Sequence, residues 1–114
     1  MGAIMEIITR KEKNTVVVSV KGRMDAVSSP EFEKKLAELM AEGEKAFIVD
    51  FGELNYISSS GLRSILVTAK ELKAKDGQIL LSALKGGVKN VFEISGFSSM
   101  IPIYESVEAA LAQM

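Results

Sequence analysis

The 114-residue chain contains no cysteine and no histidine. Without cysteine there can be no disulfide, thiolate metal site or thiol nucleophile. Without histidine, the commonest general base and the commonest metal ligand are both missing, so a hydrolase or metalloenzyme is disfavoured and neither a metal nor a cofactor is expected. An excess of one charge sign is lacking too. Fourteen Lys and Arg stand against 15 Asp and Glu, for a formal net charge of −1. The charges are interspersed and form no basic stripe, so nucleic acid is not an expected partner. No apolar run approaches the roughly eighteen residues of a membrane span. The opening Met1-Gly-Ala-Ile-Met-Glu6 has neither the Ser or Thr that a myristoylation signal places last nor the basic-then-apolar order of a signal peptide. A cytoplasmic protein without a membrane span is the expectation.

What is present reads as one domain over residues 1–114. A chain of this size buries roughly two thirds of its unfolded surface, enough for a core without staples. Ile4 to Thr9 and Thr15 to Val20 predict two strands, with polar Arg10 to Asn14 between them as a hairpin connection. The second strand closes on Lys21-Gly-Arg-Met-Asp25. Ala26-Val-Ser-Ser-Pro30 then announces a helix, since Pro is favoured at the first helical position and a preceding Ser can cap it. Ser28 with Glu31 also fits a capping box. Phe32, Leu36, Leu39 and Met40 supply that helix's buried stripe, and Gly43 its stop.

Ala46 to Phe51 predicts a buried strand. After a polar turn, Leu62, Ile65, Leu66, Ala69 and Leu72 recur at helical spacing, so a second helix begins near Ser60 and is closed by Asp76-Gly77. Gln78 to Ser82 is a further strand, bounded by Lys85-Gly-Gly87. Val88, Val91 and Phe92 mark a short helix ending at Ser95-Gly96, with Phe97 placed for a hydrophobic contact at the helix end. Ile101 to Tyr104 can be a strand only at an edge, because Pro102 cannot donate to a ladder. Ser106 opens a last helix with Val107, Ala110, Leu111 and Met114 on one face. This alternation defines an α/β domain: a mixed sheet of about five strands, with an N-terminal hairpin and parallel central strands, and about four helices. Loops leaving the carboxyl ends of parallel strands share one edge. The loops holding Asp25, Ser58 to Gly61, and Gly86-Gly87 should therefore form one surface.

The stretch Ser58-Ser-Ser-Gly61 stands at a helix entrance, where the first backbone N–H groups have no partner within the helix and the macrodipole leaves partial positive charge. The plain reading makes Ser58 the N-cap and Ser59 and Ser60 small first-turn residues. The sharper one has an exposed hydroxyl that accepts phosphate.

Gly22-Arg-Met-Asp-Ala26, the helix opening Ser29-Pro-Glu-Phe32, the Phe92-x-x-Ser-Gly-Phe97 segment and, above all, Asp50-Phe-x-x-Leu-x-Tyr-Ile-Ser-Ser-Ser-Gly-Leu-Arg-Ser-Ile-Leu66 resemble the STAS domain of bacterial anti-sigma factor antagonists. The resemblance covers nearly the whole chain. It implies a nonenzymatic protein that binds an anti-sigma factor serine kinase and frees the sigma factor, lets go when the kinase phosphorylates it, and is reset by a metal-dependent serine phosphatase. The family's Asp-Ser-Ser-Gly turn falls on Ser58 to Gly61, which implies Ser59 as phosphoacceptor and Ser60 as second choice. The family's loop aspartate falls on Asp25, in reach of the unmodified hydroxyl and repelling a phosphate. This chain departs from one form of the pattern, with Ser58 standing where some antagonists have aspartate. The implied partner surface comprises Asp25, Ser58, Ser59, Ser60, Gly61, Arg63, Gly86 and Gly87, on a protein taken as a monomer. Two other readings stand beside this one. One is a constitutive STAS-type subunit of a transporter or scaffold, with the serines as caps only. The other is an enzyme with Ser59 as nucleophile, for which no residue supplies the oriented base. Gly86-Gly87 lacks the Lys-Ser/Thr of a P-loop and reads as a plain turn.

Overall fold

The computed structural model describes residues 4–114. Its opening hairpin is longer than the apolar residues alone suggest. β1 (Met5–Glu12) pairs antiparallel with β2 (Thr15–Met24) from Met5 opposite Gly22 to Glu12 opposite Thr15. Arg10, Lys11 and Glu12 are therefore strand residues, and the connection shrinks to Lys13 and Asn14, with Lys13 at φ 59°. Charges on this outer strand discourage pairing with another chain's edge.

The chain continues as α1 (Ser29–Ala41), β3 (Ala46–Asp50), β4 (Leu54–Ile57), α2 (Ser59–Ala74), β5 (Gln78–Ser82), α3 (Gly86–Ser95), a 3-10 turn (Phe97–Ser99), β6 (Ile103–Tyr104) and α4 (Val107–Leu111). The sheet order is β1-β2-β3-β5-β6, parallel beyond the hairpin, with β4 paired to β2 beside that path. Alternating side chains serve two layers. Val16, Val18, Val20, Phe47, Val49, Ile79 and Leu81 face the main core, where α1, α2 and α3 contribute Phe32, Leu36, Ile65, Leu72, Val88 and Phe92. Val17, Ile48 and Leu80 face the other side, covered by Val107 and Ala110 of α4. The predicted edge strand and the Phe97 contact are both present. β6 pairs with β5, and Phe97 meets Phe92 edge-on with centroids 5.7 Å apart.

Four details differ from the sequence expectation. β4 lay hidden in the segment read as a turn, because four residues with only Leu54 and Ile57 buried give too short a pattern. The capping box at Ser28 and Glu31 does not form. The Ser28 hydroxyl instead accepts the Asp25 amide at 2.9 Å and donates to the Arg23 carbonyl at 2.8 Å. Ser29 is buried, and its hydroxyl has no partner among the described residues. The last helix stops at Leu111, so Met114 lies beyond it and is 40 % exposed.

Two polar contacts tie α1 to α2 and stiffen α2 itself. The Ser64 hydroxyl donates to the Glu33 carboxylate, and the Thr68 hydroxyl donates to the Ser64 carbonyl at 2.9 Å. The second helix is thereby held along the flank of the first, which fixes where its amino end emerges.

Candidate functional site

Gly22 begins the site. It takes φ 90°, and a Cβ there would lie 2.1 Å from the Ile4 carbonyl oxygen, so only glycine fits. The ladder to the next strand, β4, slips between Gly22 and Arg23, where Asn55 of β4 is the extra residue, and such a bulge bends its strand. β2 pairs with β3 from Val16 to Ser19 and with β4 from Gly22 onward, with Gly22 opposite Leu54, Arg23 opposite Tyr56 and Met24 opposite Ile57. The residues that follow, Asp25 and Ser58, therefore leave two adjacent parallel strands side by side. The two loops are neighbours as expected, but through β4 rather than β3.

The α2 entrance is fixed by three contacts. The Ser58 amide donates to the Met24 carbonyl at 2.9 Å, and the Ser58 hydroxyl accepts the Gly61 amide at 3.2 Å as a true N-cap. Gly61 packs so close that a Cβ would lie 2.7 Å from Ile57 and 2.8 Å from the Met24 carbonyl oxygen. Ser59 and Ser60 occupy the first turn with exposed side chains. Their amides are among the first-turn donors that a helix leaves unpaired. Arg63 is exposed one turn further along the same helix. Replacing Ser58 with alanine is expected to cost about 1 kcal/mol through loss of the cap, read as a lowered urea midpoint with unchanged slope.

Asp25 is a loop-former in this arrangement. Its Oδ1 accepts the amides of Val27 at 3.1 Å and Ser28 at 3.0 Å, and its Oδ2 lies 3.8 Å from Arg23 Nε. No hydrogen bond among the described residues joins it to Ser58, Ser59 or Ser60. The Ser28 amide above all, then the Ser28 hydroxyl, the Val27 amide and the Arg23 charge, holds the carboxyl below its ordinary value of 3.8 against the opposing effect of partial burial. A lowered folded-state value contributes stability above 3.8 that is lost as pH falls through the folded value. Asp25→Asn is accordingly expected to flatten the acid limb of the stability profile, measured by thermal melts stepped downward from pH 5.

Gly86 and Gly87 open α3 with exposed backbones. A depression of about 190 Å³ brings Gly87 together with Asn55, Tyr56, Ile57, Val88 and Val91, so the third loop joins the surface by way of β4. Sequence reasoning missed three members of this surface. The Arg23 guanidinium lies 4.1 Å from the centre of the Tyr56 ring, and Val27 is 87 % exposed at the loop tip. Arginine stacked on tyrosine and an exposed apolar side chain on a hydrogen-bonded loop are features of contact surfaces. Leu54 and Ile57 are buried on either side of exposed Asn55 and Tyr56, so no period-two alternation announced the strand. Among the described residues no cluster of three or more Asp and Glu could hold a metal.

The site is thus an exposed serine turn at one edge of the sheet of a small α/β domain. The STAS domain model matches residues 6–110, and the chain belongs to that family, whose anti-sigma factor antagonists are binding proteins rather than enzymes. BtrV of Bordetella bronchiseptica, a candidate anti-sigma factor antagonist, is 38 % identical over 108 residues, covering 95 % of this chain and 93 % of the relative. An anti-sigma factor antagonist from Mycobacterium paratuberculosis superposes with a TM-score of 0.87 at 22 % identity, over 96 % of this chain and 92 % of its own. The Bacillus cell fate determinant SpoIIAA, solved in its phosphorylated form, gives 0.74 at 23 % identity over 95 % and 98 %. No helix among the described residues is long and apolar enough to cross a membrane.

Proposed function

We propose that this protein is an anti-sigma factor antagonist switched by phosphate on Ser59. Unmodified, it binds an anti-sigma factor that is also a serine kinase and so frees the sigma factor. Phosphorylation of Ser59 ends the complex, and a serine phosphatase restores binding. The docking surface comprises Asp25, Ser58 to Gly61, Arg63 and the Gly86-Gly87 turn. The observation that carries the reading is the division of labour among three consecutive serines. Ser58 is consumed as the cap, while Ser59 stands exposed at the head of α2 on a seat fixed from beneath. Ser60 is the second choice of acceptor. The relatives' names support the partner class, and SpoIIAA's solved phosphorylated form supports the chemistry.

Phosphate adds about 1.5 to 2 negative charges at pH 7. In the free protein it meets the α2 dipole, which favours an anion by about 0.3–1 kcal/mol, so no refolding is needed. Within a contact, an unpaired charge costs several kcal/mol, and each 1.4 kcal/mol is tenfold in affinity. Asp25, one strand over, adds like-charge repulsion. The test is to capture the partner with Ser59→Ala protein, supply ATP and wild-type protein, and map the phosphate by mass spectrometry. Phosphate on Ser59 is expected; its absence from both Ser59 and Ser60 would favour a constitutive binding module.

A further inference from the structure

A groove of about 430 Å³ separates the outer side of α2 from the turn after α3. Leu66 and Ala69 of α2 line one side, Ile79 and Ile101 the floor, and Met100, 54 % exposed, the far wall. Lys70 and Lys73 stand on its rim, and no carboxylate lines it. In a chain of net charge −1, this is a local excess of positive charge over apolar surface. Methionine is an adaptable wall residue, suited to surfaces that receive a partner's side chains.

The groove lies along the same face of α2 as Ser59. At 3.6 residues per turn, Ser59, Arg63, Leu66, Lys70 and Lys73 fall within about 80° of one another around α2. Leu66 lies about 10 Å along the axis from Ser59. A rod laid along this stripe would touch Ser59 at one end and fill the groove at the other.

We infer that the groove seats an acidic amphipathic helix of the anti-sigma factor; this rests on the partner class and Ser59 switch proposed above. Apolar residues at i, i+3 or i+4, and i+7 enter between Leu66 and Met100. Flanking carboxylates meet Lys70 and Lys73, which steer the approach and make it salt-dependent. The Ser59 phosphate then acts at one end of a contact whose far end is favourable to acid.

The test uses the full chain and two synthetic peptides of about five helical turns with identical apolar positions, one flanked by Glu and the other by Lys. Amide shifts are followed by NMR. The acidic peptide is expected to shift Leu66, Ala69, Lys70, Lys73, Met100 and Ile101 saturably, and the basic one is not. Lys70→Glu/Lys73→Glu, at two exposed positions, is expected to weaken the acidic peptide and the kinase captured by Ser59→Ala by about tenfold each. No groove shifts, unchanged kinase affinity in the double variant, or groove shifts that vanish on dilution without peptide, as for a second copy seated there, each overturns the inference. The switch reading is tested separately: it fails if Ser59→Asp and Ser59→Ala bind the kinase equally, whatever the groove does.

Discussion

Gly61→Val is expected to destabilise the protein by about 3 kcal/mol or more, a fall in Tm above roughly 10 °C for a domain of this size. Gly61 is the third residue of α2. Helix propensity alone therefore favours a substitution, because glycine inside a helix costs about 0.5–1 kcal/mol relative to alanine. Packing argues the other way and wins. A Cβ at this position meets Ile57 at 2.7 Å and the Met24 carbonyl oxygen at 2.8 Å. The second of these is backbone, tied by the Ser58 amide, and cannot yield as a side-chain end can. Gly61→Ala already inverts the propensity trend, with a loss of about 1–3 kcal/mol, and the two further methyls of valine extend the clash. Because α2 must lift to make room, both variants are also expected to weaken partner binding beyond their loss of folded population. A Gly61→Ala protein that melts at or above the wild-type temperature would show that the serine turn is not seated as tightly as this geometry requires.

Ser59→Asp is expected to lower partner affinity by about 100-fold, and Ser59→Ala to leave it within a few-fold of wild type. The aspartate places about one charge where phosphate places nearly two, so phosphorylation itself is expected to cost more. Neither substitution touches a cap or a buried contact, since Ser59 is exposed and the cap belongs to Ser58. Melting temperatures of both variants are therefore expected to match the wild type closely. Capture from lysate with the two proteins side by side gives a direct comparison: a kinase retained by the alanine protein and absent from the aspartate protein is the predicted outcome.

The elements with long apolar periodicity were legible in the sequence, and so was the place of the serine turn. Thr15 to Val20, Phe47 to Val49 and Gln78 to Ser82 carry enough β-branched and apolar residues to read as buried strands, and Leu62 to Leu72 reads as a helix face. Ser58 reads as an N-cap because local chemistry alone decides it. What local chemistry does not decide was missed. β4 exists because the end of β2, from Gly22 to Met24, runs past β3 and pairs with it, a long-range event that Leu54 to Ile57 does not announce. Ser28 is a plausible cap by spacing, yet its hydroxyl is drawn back to Asp25 and Arg23 by the loop between strand and helix. The α2 end shows the same division: Asp76-Gly77 is a legible stop, but Asp76 takes the left-handed conformation at φ 60°, while Gly77 is there because a Cβ would meet the Lys45 carbonyl at 2.7 Å. Arg23 and Tyr56 meet only once β4 is in place.

The central claim is that one phosphate on Ser59 separates a binding from a non-binding state without refolding the domain. The most direct measurement is calorimetric titration of the captured kinase, in the presence of a non-hydrolysable nucleotide, with unmodified protein and with protein carrying phosphate on Ser59 alone, the fold of each checked by amide NMR. Tight binding of the first, a loss of more than about 100-fold for the second, and amide shifts confined to the α2 entrance are the predicted result. Equal affinities, or shifts spread through the core on phosphorylation, would contradict it.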